Sequence, residues 1–156
     1  MKEYPILCTT EVVRAILAGR QTQDRRPKEP WWQAGDRLYV RETWKRMPDG
    51  GIGFLASLET CDYGPFCLLG NWKPSIHMPK AVARIWLKVK AMRVERLQDI
   101  SNDDVHAEGF APWGDKYAGF AELWDSIYSK RGHSWEVNPQ VWVTEFELEE
   151  QERWTN

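Results

Sequence analysis

Three cysteines in 156 residues, Cys8, Cys61 and Cys67, are too few and too irregularly spaced for a disulfide framework or a zinc site. There is no Cys-x-x-Cys pair, and the three histidines have no matching spacing, so neither a metal nor another cofactor is expected. Cys8 falls in an apolar strand pattern and reads as a small core residue. Cys61 and Cys67 lie close enough to meet across a short loop, but in a reducing compartment they are expected as free thiols. No apolar run approaches the roughly 18 residues of a membrane span. The N-terminus, with Lys2, Glu3 and Pro5, lacks the apolar core of a signal peptide, so a cytoplasmic location is expected. Internal repeats and low-complexity linkers are absent. Gly50-Gly51-Ile52-Gly53 has no Lys-Ser/Thr after it and reads as a turn, not a phosphate cradle.

What is present is an ordinary globular composition, 42% hydrophobic and 28% charged, at a length that fits one domain with a single core. Ten tryptophans are many for this length. Some must pack the core, while any left exposed offer flat rings for stacking on bases or ligands. The net charge of −2 is unevenly distributed. From Arg20 to Arg46 there are eight Lys/Arg against four Asp/Glu, and from Trp72 to Arg93 six against none. Residues 145–153 hold five glutamates and one arginine. If the basic stretches converge, a mildly acidic protein acquires one basic face suited to a polyanion; if they scatter, the segregation has no such meaning.

Taken in order, residues 4–9 read as a first strand, with Thr9 or Thr10 as the N-cap of a helix that buries Val12, Val13, Ile16 and Leu17. Leu38 and Val40 alternate with Arg37, Tyr39 and Arg41 in a second strand. Residues 47–71 read as an inserted hairpin or excursion. Prolines bracket Ser75 to Met78 in a segment expected to be extended and stiff. Ile85 to Val94 alternates as a long strand; Ser101 caps a short helix that Gly109 ends. Tyr117, Phe120, Ala121, Trp124, Ile127 and Tyr128 share a helical stripe expected to pack on the core. Residues 141–148 form a closing strand, and 149–156 an acidic tail expected to fray.

The stretch with the densest chemistry is Ile16 to Pro27. A helical apolar pattern runs into Gly19, which fits the left-handed residue past a helix end, and Arg20, Thr22, Asp24, Arg25 and Arg26 follow. They are read as a charged loop projecting from a fixed point of the fold, either a functional loop or a solvated run with local turn bonds.

This stretch, Gly19-Arg20-Gln21-Thr22-Gln23-Asp24-Arg25-Arg26, resembles the signature Gly-Arg-Lys-Thr-x-Thr-x-Arg of ASCH domains, small relatives of the PUA-like barrels that handle RNA. Gly35 to Glu42 resembles the family's Gly-Asp-x-x-x-Val strand, and Val94 to Ile100 with Ala107-Glu108-Gly109 its strand-to-helix segment. Val141 to Phe146 resembles its closing strand, and Trp72 to Pro79 a segment of its phage and prophage branch. The resemblance implies an α+β fold: a small, mostly antiparallel PUA-like β-barrel with about three covering helices, one domain over residues 1–148. It also implies a groove between the Arg20–Arg26 loop, the Arg37–Glu42 strand and the helix near Glu108.

Some bacterial members that this chain resembles remove the acetyl group from N4-acetylcytidine with a lysine and a threonine of the loop and a glutamate of the helix. Here Glu108 and Arg26 match, but Gln21 stands at the lysine position and Asp24 at that of the nucleophilic hydroxyl. Glutamine cannot act as a base, and a carboxylate is not that acyl acceptor. The first expectation is therefore binding of RNA, another nucleic acid or a modified nucleotide. Arg20, Arg25, Arg26, Arg41, Lys73 and Lys80 would contact phosphates, with Gln21 beside them; Tyr39 or Trp72 would stack; and Glu42, Glu108 and His77 would read a base edge. The alternatives are a hydrolase, either amidohydrolase-like or a ribonuclease, using Glu108, His77, Thr22 or Asp24, and a phage accessory protein acting through protein contacts.

Overall fold

The protein is described by a computed structural model in which residues 1–60, 70–110 and 116–150 are placed. Cys61 and Cys67, most of the second half of the excursion at residues 47–71, and residues 151–156 of the acidic tail lie outside the described residues.

A five-stranded sheet organises the chain. Its strands are β1 (Glu3–Leu7), β2 (Gln23–Arg26), β3 (Arg37–Arg41), β6 (Trp86–Arg96) and β7 (Gln140–Leu148), in the order β1-β3-β6-β7-β2. Only the β1–β3 pair is parallel; the other three are antiparallel. The remaining strands, β4 (Trp44–Arg46) and β5 (Ile52–Phe54), form a separate hairpin in the expected excursion, turned through Gly50 at φ +85°. The two edges of the main sheet approach each other, since Arg26 on β2 donates to the Leu7 carbonyl at the end of β1 at 3.3 Å. That approach gives the sheet its barrel-like curl.

β6 is long because it serves two cores. Its first three residues, Trp86 to Lys88, pair with β3 and Leu87 to Arg96 pair with β7, and a bulge at Val89/Ala91 re-aims the strand partway along. Ile6, Val13, Ile16, Leu38, Val40, Leu87, Val89 and Phe146 fill the first core. It is closed by α1 (Thr10–Leu17), capped as expected by Thr9, whose hydroxyl accepts from Val12 N–H. The second core holds Leu97, Ile100, Val105, Phe120, Trp124, Val141 and Val143, under α2 (Asn102–Ala107) and α3 (Lys116–Tyr128). Ser101 caps α2 and Gly109 leaves it at φ +94°, both as the sequence indicates.

Three expectations are corrected. Arg20 to Arg26 is not a projecting loop: Gln23–Arg26 is an edge strand paired with residues 142–145, and Gln21 makes an isolated bridge to Glu108. Residues 72–79 are not simply extended, because Ser75–His77 forms a short 3-10 turn. Nor is residue 149 frayed, since Glu149 accepts from Arg37 and its N–H donates to the Trp86 carbonyl. Cys8 is a core residue, and burial pushes its thiol up to about 12.

Candidate functional site

The seam between the two cores is where the chemistry-bearing residues meet. A cavity of about 100 Å³ lies there, with Gln21, Asp24, Arg25 and Glu108 on one side and Phe120, Trp124 and Tyr128 of α3 on the other. Each polar group is placed by a short element. Pairing of β2 with β7 fixes Asp24 opposite Thr144 and Arg25 opposite Val143, while the end of α2 delivers Glu108.

Arg25 is the centre of this polar group and its side chain is 1% exposed. Its Nη1 donates to Gln23 Oε1 and Glu108 Oε1, both at 2.8 Å, and its Nη2 to Glu95 Oε1 at 2.7 Å and Asp104 Oδ2 at 3.2 Å. Arg93 joins the same network through Glu95, Asp104 and Glu145. Within it Asp104 is held below its ordinary value: burial opposes this, but hydrogen bonds from Gln23 and Ser101 and the charges of Arg25 and Arg93 prevail. Glu108 goes the other way. Burial first, then the Asp24 carboxylate, push it up to about 8, against the pull of Arg25. Asp24 is ion-paired with Arg26 at 2.6 Å, which raises the arginine further above its usual range. The Tyr128 phenol is also raised, by burial and by Asp24.

The cavity opens along α1 into a shallower groove of about 320 Å³ that shares Gln21, Glu108 and Leu123 with it and is flanked by Arg14 and Arg20. A wider basin of about 690 Å³ lies at the start of α1, beside Thr9, Thr10, Thr43 and Ser75. Among the described residues no buried charged group faces it, so the smaller cavity has the stronger claim to chemistry. Among the described residues, no group of three or more His, Cys, Asp or Glu is arranged to hold a metal, and no helix is long and apolar enough to cross a membrane.

Several expected site residues are elsewhere or otherwise engaged. Arg25 is an internal cation and not a phosphate contact. Thr22 is exposed and does not line the cavity, since alternation along the strand buries Gln21 and Gln23 instead. His77 is exposed on its 3-10 turn and does not share the cavity with Glu108, so an acid–base pair of the two is not formed. Glu42 is 1% exposed and paired with Arg84, which removes it from any base edge. Arg41 holds the carbonyls of Ile76 and Met78, and Lys80 pairs with Glu3 beneath the tilted rings of Tyr39 and Trp86. Trp72 lies under Lys45, and exposed Lys73 lies over Trp44. The strand at 37–42 thus walls no part of the cavity; α3 takes the place expected for it. Arg20 is exposed at the groove, tethered to the Gly109 carbonyl at 3.4 Å.

The sequence reading missed Tyr128, Trp124 and the partners of Arg25. The stripe on α3 was visible, but nothing in its spacing said that its last ring would line a cavity. The signal for Arg25 was the alternation of Gln21, Gln23 and Arg25, which puts all three on one strand face once the segment is recognised as a strand.

With the seam, its strand order and its helices in view, the comparison with solved structures is decisive for the fold. An ASCH domain from Lactobacillus crispatus JV V101 superposes with a TM-score of 0.53 over 94% of this chain and 79% of its own, at 15% identity. The fold is of the ASCH type. The hypothetical protein PH0355 matches this chain at a TM-score of 0.53 and 14% identity, over 96% of this chain and 100% of its own. Protein EF3133 from Enterococcus faecalis V583 matches at 0.54 and 9% identity, over 96% and 76%. No family model and no curated protein matches the sequence.

Proposed function

We propose that the protein binds nucleic acid, RNA in the first instance, by taking one base or modified nucleobase into the cavity at Glu108. The observation that carries this reading is the cavity's make-up: three aromatic rings of α3 face the hydrogen-bonding groups of Gln21, Asp24, Arg25 and Glu108 across about 100 Å³. A cavity of about 150 Å³ accepts benzene; this one, at about 100 Å³, takes the hydrogen-bonding edge of one ring, with the rest of the ring lying in the adjoining groove of about 320 Å³. Sequence-specific RNA recognition works in the same way, on unstacked bases held between rings and hydrogen-bonding groups. Outside the cavity, Arg20 borders the adjoining groove and Arg131 lies over Tyr128, both exposed and without a carboxylate partner among the described residues, so both are available to phosphates of the same strand. Binding is to be measured with nucleosides, N4-acetylcytidine included, and with labelled single- and double-stranded RNA and DNA at two salt concentrations. Salt-sensitive binding of single strands, weakened by Glu108→Ala, is expected; no binding of any probe rejects the reading.

A specific observation favours a second, catalytic reading. Asp24 and Glu108 share the cavity, one ion-paired with Arg26 and the other holding its proton up to about pH 8. Such a division suits amide hydrolysis, with Asp24 taking a proton from water as the water oxygen attacks the carbonyl carbon. Glu108 then gives its proton to the departing nitrogen. A mass change in the same panel that both Asp24→Asn and Glu108→Gln abolish is expected; turnover surviving both substitutions rejects this reading.

A further inference from the structure

We propose that this cavity selects a nucleobase by an amino group beside a bare ring nitrogen, the edge that adenine and cytosine carry and that uracil and hypoxanthine lack. The inference rests on the nucleobase reading above and adds to it which edge enters the cavity.

Three side-chain oxygens support it. Glu108 Oε1 accepts from Arg25 at 2.8 Å, which leaves Oε2 without a partner among the described residues. Asp24 Oδ2 is taken by Arg26, which leaves Oδ1. Gln21 turns its amide nitrogen to the Gln23 carbonyl at 3.0 Å, so its Oε1 is left over as well. Gln21 and Glu108 are both more than nine-tenths buried, yet none of the three oxygens is sealed. Among the described residues, the buried side-chain atoms that lack a partner and are closed to solvent belong to Arg25, Trp44 and Trp72. All three oxygen-bearing residues line the cavity, and Gln21 Oε1 sits beside Gly109 at the mouth, where the cavity meets the groove. Buried polar groups are nearly always hydrogen-bonded, so three left over around one small cavity call for a partner that enters it.

What that partner must offer follows from the protons. Asp24 Oδ1 and Gln21 Oε1 can only accept. Glu108 holds its proton up to about 8, and because Oε1 already accepts from Arg25, the proton sits on Oε2 and makes it a donor. The cavity thus shows two acceptors and one donor. An amino group has two N–H bonds for the two acceptors, and the ring nitrogen next to it accepts from Glu108. A uracil or hypoxanthine edge puts a carbonyl oxygen in place of the amino group and an N–H in place of the bare nitrogen, so it is mispaired at both points. Arg25 cannot correct this, because the four hydrogens on its Nη atoms are taken and its Nε is sealed. A site built to bond an N–H loses far more on an analogue lacking it than an apolar pocket would.

The probes are two pairs that each differ by one group: adenosine with purine riboside, and cytidine with pyrimidin-2-one riboside. The second member of each has hydrogen in place of the amino group and keeps the bare ring nitrogen. All four are titrated into the wild-type protein, Asp24→Ala and Glu108→Gln. The wild type is expected to prefer the amino-bearing member of at least one pair by about ten-fold or more, and the pair that shows it tells the two bases apart. Asp24→Ala is expected to shrink that ratio while leaving affinity for the analogue unchanged. Glu108→Gln, which replaces the O–H donor by an N–H donor, is expected to keep it. Equal affinity within both pairs overturns the proposal and leaves the nucleobase reading standing. So does a ratio in Asp24→Ala equal to that of the wild type, or its loss in Glu108→Gln. The wild-type comparison needs no variant and stands even where a substitution impairs folding. Failure of all four nucleosides to bind the wild type overturns the proposal, and the nucleobase reading falls with it if no nucleic acid binds either.

Discussion

Glu108 accepts a hydrogen bond from Arg25 at 2.8 Å, yet its carboxyl is pushed up to about 8, because its 8% exposure and the nearby Asp24 outweigh the cation. The sign of the resulting pH dependence follows. Unfolded, the group titrates near its ordinary 4.5; folded, it keeps its proton to about 8. The folded state is the tighter proton binder, so this contribution is complete below the lower value and is lost as pH rises through the upper one. Each pKa unit of difference is worth about 1.4 kcal/mol. Thermal melts between about pH 5 and about pH 9 are expected to show wild-type stability falling through this window. The same melts of Glu108→Gln, which imitates the protonated acid, are expected to show a flatter profile.

Removing the cation has a larger effect. Arg25→Met leaves Glu95, Asp104 and Glu108 facing each other, with Arg93 reaching only the first two. Breaking a buried ion pair on one side costs about 3–5 kcal/mol. Urea unfolding is expected to show a loss of that order for Arg25→Met, with part of it recovered when Asp104→Asn is added, because Asp104 is the carboxylate held ionised beside Arg25. That partial recovery is the coupling a double-mutant cycle reads.

How much of this was legible beforehand differs between elements for physical reasons. Thr9, Ser101, Gly19 and Gly109 announce helix ends through local chemistry, and the structure keeps all four roles. The apolar alternation of β3, β6 and β7 is equally local. Gln23–Arg26 was hidden because a strand made of polar residues has no hydrophobic period to betray it. Its inward arginine is tolerable only because carboxylates from β6 and α2 arrive from more than 69 positions away. The basic stretches misled for the same reason: Arg25, Arg37, Lys80, Arg84 and Arg93 each meet a carboxylate that sequence order does not place beside them. Of the ten tryptophans, Trp31 alone among the described residues is exposed, at 85%. The remaining described tryptophans are buried or half-buried.

Gly109 ties the backbone to the site. Both Gly19 and Gly109 have positive φ, +74° and +94°, but nothing lies within 4 Å of a side chain added at Gly19. At Gly109 such a side chain would meet Gln21 Oε1 at 3.3 Å and Ala15 Cβ at 3.4 Å. Gly19→Ala is therefore expected to cost only the left-handed penalty of about 1–2 kcal/mol. Gly109→Ala is expected to cost more and to displace Gln21 from the cavity wall. Melting temperatures of the two variants, with nucleoside affinity as the second readout, check the difference.

Arg131 offers a way to separate phosphate contacts from recognition inside the cavity. It is exposed, lies 6.0 Å from the Tyr128 ring centroid and has no carboxylate partner among the described residues, so its removal disturbs no ion pair. A phosphate contact to a single strand contributes about 0.7 to the slope of log affinity against log salt. Titration of single-stranded RNA over a range of salt is expected to give Arg131→Gln a slope shallower by about that amount, with affinity falling alike for every sequence. Affinity for an uncharged nucleoside should not change, because that probe carries no phosphate for Arg131 to meet. An unchanged salt slope would remove Arg131 from the nucleic-acid path, whereas a loss of nucleoside affinity would show that it acts through Tyr128 instead.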